Sequence, residues 1–246
     1  MHKLFIPYIM GNQNFIENVK LLSENGADYI EIGIPFSDPV ADGAVILKAG
    51  QAALEEGMNA KLILERLKLE QHAIKTPYLL MTYYNIIESF GVKAFIDEAE
   101  AAGVYGLIIP DLPYELGVIF KEKLKHTSVK LISLIAMTTS NERVKTIASE
   151  AEGFIYTVTM NAVTGQDDTF HQDLYNKLSL IKQNSDVPVV SGFGIKSPEQ
   201  IEAIKPYCDG IVIGSEIVRR FTDDTREEVI AYLKNIRKSL DDITLE

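Results

Sequence analysis

The chain has 246 residues, 46% of them apolar, and a formal net charge of −11. That length and apolar content provide for a sizeable core and exclude intrinsic disorder. The acidic balance argues against nucleic acid and against an anionic membrane surface, though not against a small anion held by backbone dipoles.

Cys208 is the only cysteine, so no disulfide framework can form and the cytosol is the expected compartment. Met1-His2-Lys3-Leu4-Phe5-Ile6 lacks the long apolar segment of a signal peptide. No apolar run reaches transmembrane length.

Short apolar runs alternate with longer amphipathic ones from end to end. Leu4 to Ile9 reads as the first strand, Asn14-Phe15-Ile16-Glu17 as a capped helix start and Gly26 as its stop. The second strand, Tyr29 to Ile32, is followed by helical pattern over Ile46 to Glu56 and Lys61 to His72. The third strand is Tyr78 to Tyr83, with a helix over Val92 to Ala102; the fourth is Gly106 to Ile109, and Pro113 opens a helix running to Lys125. Lys130 to Ile135 is the fifth strand, and Ser140 caps a helix with Val144, Ile147 and Ala148 on one face. Phe154 to Val158 is the sixth, followed by a polar loop over Thr159 to Phe170 and a helix ending near Asn184. Val187 to Ser191 is the seventh strand, and Ser197-Pro198-Glu199-Gln200 is a capping box with proline at the first helical position. Gly210 to Ile213 is the eighth, Gly214-Ser215 leads into a short helix to Arg220, and Val229, Leu233, Ile236 and Leu240 mark one face of the closing helix. Eight apolar strands, each followed by a helix, predict a (β/α)8 TIM barrel forming a single domain over 1–246. A doubly wound open sheet would want fewer strands and a glycine-rich first turn, and Met10-Gly11-Asn12-Gln13 is not one.

Barrels of this kind carry their active sites at the C-terminal ends of the strands. There the second strand offers Glu31, with Asp38 and Asp42 in the following loop, and the third ends in Tyr83-Tyr84-Asn85. The fourth ends in Pro110-Asp111, the sixth carries Tyr156 and leads to Thr164-Gly165, the seventh ends in Ser191-Gly192-Phe193-Gly194 and the eighth in Gly214-Ser215. Lys3, Lys75 and Lys130 precede strands, at the wrong face for Schiff-base chemistry. His2, His72, His126 and His171 lack ligand spacing, so no metal is expected. Carboxylates remain as the proton-transfer groups. Glu31 shares a strand face with Tyr29 and Gly33; facing inward near the mouth, its apolar surroundings would raise its pKa into a working range. Asp42 reads equally as a functional acid or as the cap of the next helix, and Asp38, before Pro39, as turn chemistry. Gly192-Phe193-Gly194 and Gly214-Ser215 read either as tight turns or as a phosphate site, which in such barrels recurs after strands seven and eight. Tyr8, Met81, Ile108 and Phe193 read as core or as an apolar wall at the mouth; beside a phosphate site they suggest a flat apolar ring with a phosphorylated tail.

The stretch Ile32-Gly33-Ile34-Pro35-Phe36-Ser37-Asp38-Pro39-Val40-Ala41-Asp42-Gly43, with Pro110-Asp111-Leu112-Pro113, Thr164-Gly165, Gly192-Phe193-Gly194-Ile195 and Gly214-Ser215, resembles the α subunits of tryptophan synthase over nearly the whole chain. The resemblance implies cleavage of indole-3-glycerol phosphate to indole and glyceraldehyde 3-phosphate with no cofactor in this subunit. It places the general acid/base on Glu31, the second catalytic carboxylate on Asp42 and the active-site tyrosine on Tyr156. The phosphate ligands fall on Gly165, Gly192, Gly194, Gly214 and Ser215, and Thr164 belongs to a loop that closes toward Asp42. It also implies a pyridoxal-phosphate β subunit as partner, in an α2β2 heterotetramer. A free-standing indole-3-glycerol phosphate lyase and a non-catalytic phosphate-binding activator are the alternatives; retention of both acids argues against the second. Ala44 stands where the family usually has proline, and the first strand begins almost at Met1, where many members carry a helix sealing the barrel's bottom.

Overall fold

The computed structural model describes residues 2–158, 163–164, 169–170, 172–192, 194–195 and 197–241. Its first half runs β1 (Leu4–Met10), α1 (Phe15–Glu24), β2 (Ile30–Gly33), α2 (Ala44–Glu55), α3 (Ala60–Glu70), a 3-10 turn (Gln71–Ala73), β3 (Tyr78–Met81), α4 (Tyr84–Phe90), α5 (Val92–Ala101), β4 (Gly106–Ile108) and α6 (Tyr114–Leu124). The second half runs β5 (Lys130–Leu131), β6 (Ser133–Ala136), α7 (Asn141–Ser149), β7 (Ile155–Val158), β8 (Val163–Thr164), β9 (Thr169–Phe170), α8 (Gln172–Gln183), β10 (Val189–Gly192), α9 (Pro198–Ile204), β11 (Gly210–Ile213), α10 (Ser215–Asp223) and α11 (Arg226–Asp241).

Nine parallel strand segments pair in the order β5-β4-β3-β2-β1-β11-β10-β7-β6. The two outermost segments are consecutive pieces of the run expected as the fifth strand. β5 pairs with β4 and β6 with β7, so one stave changes partner at Ile132 and brings the sheet's two edges together. The Ile132 N–H still donates to Leu107 O at 2.9 Å, which keeps the ladder continuous through the change. The barrel therefore has the eight staves that the sequence predicts. The polar loop after β7 holds a small antiparallel hairpin, β8 with β9, which alternation alone did not reveal.

The strands are apolar on both faces because both are covered. Ile30, Ile32 and Ile34 point outward into the layer beneath the helices, with Phe5, Phe15, Leu22, Leu64 and Phe95. Ile6, Leu79, Ile108, Ile132, Phe154, Val190 and Val212 fill the barrel's interior. The interior's lower end is plugged by rings. Tyr29 packs 5.0 Å from Tyr105 and 5.4 Å from Phe154, and Lys130 Nζ donates to the Tyr105 hydroxyl at 3.0 Å. Beside this plug Cys208 is fully buried, its carbonyl accepting from Lys3 Nζ at 2.5 Å, and burial pushes its thiol up to about 11.

Some helix ends follow the local rules and others do not. Ser140 and Ser197 accept from the N–H groups of Arg143 and Gln200, and Gly26 ends α1 at φ 93°. Asn14 makes no capping bond; its own N–H donates to Asn12 Oδ1, so the expected cap is instead a turn. Pro113 stands just before the first residue of α6, as its N-cap. Helix α4 carries no capping side chain of its own, and sequence reading had only a strand end there.

Candidate active site

The register puts the site's first row together. Tyr8 on β1 pairs with Glu31 on β2, which pairs with Leu79 on β3. One rung toward the mouth, Met10, Gly33, Met81 and Ile108 align. Glu31 alternates with the outward isoleucines and so faces the interior, as expected. It is only 2% exposed, and its Oε2 has no hydrogen-bond partner among the described residues. Burial, with the nearby Asp42 charge added, raises its pKa to about 8. At neutral pH the carboxyl therefore keeps its proton while standing at the barrel mouth, ready to donate it.

Asp42 lies in the loop between β2 and α2. Gly43 is the N-cap of α2, which has no side-chain cap bond and begins at Ala44, so the capping reading of Asp42 is excluded. Its Oδ1 is buried and has no hydrogen-bond partner among the described residues. Burial raises its pKa, and hydrogen bonding from Tyr83 opposes that rise. Sequence reading noted Tyr83 only as a strand end. Its hydroxyl accepts from the Ala41 N–H at 3.1 Å, and its ring packs 5.1 Å from Phe36. Burial lifts its pKa to about 12, so it stays a phenol that can donate toward Asp42. Asp38 is exposed and accepts from Ser37 Oγ at 2.5 Å.

Two buried tyrosines stand near the acids, Tyr8 near both and Tyr156 near Glu31, and two glycines make room for their rings. A Cβ on Gly33 would fall 2.0 Å from the Tyr8 hydroxyl. A Cβ on Gly192 would fall 2.3 Å from Tyr156 Cε2. Real Cβ atoms do not approach so closely, so each ring occupies the space that a side chain at the glycine would take. Both hydroxyls are pushed well above the ordinary phenol range, first by burial; Asp42 and then Glu31 add to it at Tyr8, Glu31 at Tyr156. Gly33 was missed as a site residue. Its signal exists only in three dimensions, because the clash comes from the neighbouring stave.

Of the expected phosphate ligands, Gly192 ends β10, and Gly194 lies just beyond it at φ 67° with open space about its Cα. Gly214 is the N-cap of α10 and Ser215 its first residue, on the adjacent stave β11. Helix α10 packs on β1 and α2, so its N-terminus opens beside the Tyr8 row, with Gly214 near Tyr8 Cβ. A helix start of this kind presents free N–H groups to an anion. Met81 and Ile108 line the interior wall. Thr164 lies in β8, paired with Thr169, while its side chain, Gly165 and Phe193 lie outside the described residues. No helix among the described residues is long and apolar enough to cross a membrane.

Comparison with known proteins gives the arrangement its relatives. The family model for the tryptophan synthase alpha chain matches residues 1–244. The tryptophan synthase alpha chain of Staphylococcus carnosus is 59% identical over 243 residues, covering 98% of this chain and 97% of its own. That of Staphylococcus aureus (strain MRSA252) is 59% identical over 240 residues, covering 98% and 99%. Among solved structures, tryptophan synthase from M. tuberculosis superposes with a TM-score of 0.87 at 27% identity, covering 97% of this chain and 93% of that one. The alpha subunit from Campylobacter jejuni does so with 0.85 at 28% identity, covering 96% of each. With the motif stretches, the barrel and a match along nearly its full length, the chain belongs to the tryptophan synthase alpha chain family.

Proposed function

We propose that this chain, working as one barrel domain over 1–246, is a carbon–carbon lyase. It cleaves indole-3-glycerol phosphate to indole and glyceraldehyde 3-phosphate. The observation that carries the reading is Glu31: a carboxyl 2% exposed, with an oxygen that has no partner among the described residues and a pKa of about 8, beside a second acid.

In the retro-aldol step, Glu31 gives its proton to the indole carbon that bears the side chain, making the ring nitrogen cationic. The resulting carboxylate takes the proton of the adjacent side-chain hydroxyl. The carbon–carbon bond then breaks, its electron pair returns to the ring, and the hydroxyl carbon becomes the aldehyde. Protons balance, and Glu31 ends as it began. The Asp42 carboxylate stabilises the cationic ring. Tyr156 and Tyr8 bound the ring's space, with Met81, Ile108, Thr164 and Phe193 completing the substrate wall. Gly165, Gly192, Gly194, Gly214 and Ser215 hold the phosphate against backbone N–H groups. No cofactor serves this subunit. Indole passes to a tryptophan synthase beta chain carrying pyridoxal phosphate, within an α2β2 assembly in the cytoplasm.

The test is an assay of indole formation from indole-3-glycerol phosphate, with and without that beta chain. Weak cleavage alone and strong stimulation by the partner are expected. No cleavage under either condition refutes the reaction; full activity unchanged by the partner identifies a free-standing lyase.

A further inference from the structure

The acid at position 111 comes from the turn after β4, yet it holds a helix that begins after β3. Helix α4 starts two residues beyond its strand with no capping side chain of its own. Its first N–H, on Tyr84, donates to both oxygens of Asp111, at 2.9 and 3.2 Å. On the other side of Tyr83, the Thr82 N–H donates to Ile108 O at 3.0 Å. The β4 segment and its turn therefore grip the chain immediately before and after Tyr83. The turn is itself closed by the Leu112 N–H donating to Ile109 O at 3.2 Å, and Pro113 fixes its far end. Tyr83, 3% exposed, projects from this clamp to the loop after β2, where its hydroxyl accepts from Ala41 N–H at 3.1 Å. That bond anchors the backbone of Ala41, the residue immediately before Asp42, so the place of the Tyr83 ring sets the path of the chain that carries the acid.

We propose that Asp111 is a positioning residue for Asp42, acting through the start of α4 and the Tyr83 hydroxyl. The inference rests on the lyase reading given above, because it assigns Asp111 its effect through the acid that faces the cationic ring. A carboxylate capping a helix from a distant turn would ordinarily contribute only stability. Here the capped residue adjoins the one that orients a catalytic acid, so the same bond sets a transition-state interaction.

The experiment measures kcat and KM for indole formation, with the beta chain present, in wild type, Asp111→Ala, Asp111→Asn, Tyr83→Phe and the Asp111→Ala/Tyr83→Phe pair. Asp111→Ala is expected to lower kcat roughly tenfold with KM nearly unchanged, as for an interaction made in the transition state. Asp111→Asn keeps an oxygen for the Tyr84 N–H and is expected to recover most of the loss. The double variant is expected to be no worse than Tyr83→Phe within about twofold, since both act on one path. If Asp111→Ala does not fold, Asp111→Ser takes its place: it stays polar on the exposed turn but is too short to reach Tyr84. Unchanged kcat in the variant lacking the carboxylate, an asparagine no better than alanine, or losses that multiply each overturn the inference. An inactive wild type instead refutes the reaction itself, and the inference with it.

Discussion

Two acids three residues apart on the same stretch of chain have opposite surroundings. Asp28, at the bottom of the barrel, accepts from the Phe5 N–H at 2.8 Å and from Arg237 at 2.9 Å, and lies 2.6 Å from His2 Nε2. Glu31, at the mouth, has a buried oxygen with no partner among the described residues. The pattern repeats elsewhere in the barrel. Asp209, below β11, accepts from Lys182 at 2.7 Å and from the Val189 N–H at 2.9 Å, whereas Asp42 at the mouth has a buried oxygen with no partner among the described residues. A paired acid holds two segments together. An unpaired buried one costs stability, and a fold keeps that cost where the open valence has a use.

The sharpest way to break this contrast is Glu31→Gln. Proton transfer is worth about 10²–10⁴ in rate, so lyase activity should fall by that much while the fold persists. Activity within about tenfold of wild type would sink the assignment. The same variant should be more stable than wild type, and the sign follows from the raised pKa. Between the ordinary 4.5 and about 8 the unfolded chain releases a proton that the folded one keeps, so ionisation favours unfolding and stability falls as pH rises. Melting temperatures of the two proteins should diverge across that window and run parallel outside it. Over the upper part of it, kcat/KM of the wild type should decline as the donating proton is lost near pH 8.

A smaller loss is expected of Asp42→Asn, whose role is electrostatic support; a loss exceeding that of Glu31→Gln would reverse the two roles. Gly33→Ala and Gly192→Ala come next. Each forces a tyrosine ring out of its place, which should cost about 1–3 kcal/mol of stability in a denaturant titration and lower kcat/KM by roughly tenfold. Ordinary activity in both would show that the rings merely fill space. The smallest effect on catalysis belongs to Asp28→Ala. It leaves the Phe5 N–H without its side-chain acceptor and removes one of the partners of Arg237, which keeps Asp241 and Lys3 O, so it should lower stability by about 1–3 kcal/mol and leave kcat alone. A fall in kcat there would dissolve the distinction between the two ends.

The sequence revealed the staves well because each is a short apolar run with both faces covered, and it revealed Glu31 because an acid interrupts such a run. Cap residues local to their helices, Ser140 and Ser197, were equally legible. What escaped depends on contacts between distant segments. Helix α4 is capped by a residue 27 positions away, so no local signal announces it. The fifth stave looks continuous in sequence and divides only because it serves two neighbours. Gly33 reads only as a residue sharing a strand face with Glu31 until the Tyr8 hydroxyl is seen beside it. Asp42 was undecided between cap and acid because both readings want the same residue type before a helix; only the loop's path separates them.

The lone thiol at the barrel's foot gives the molecule a built-in clock. Cys208 is fully buried and its pKa stands at about 11, so in the native state it presents neither access nor thiolate to an alkylating reagent. Modification then waits on opening of the segment between α9 and β11, and its rate reports how often that segment opens. If the corner opens only when the whole barrel does, labelling across a denaturant series will track global unfolding with no engineered probe. Labelling that is fast and insensitive to denaturant would instead identify the corner as a separately opening unit.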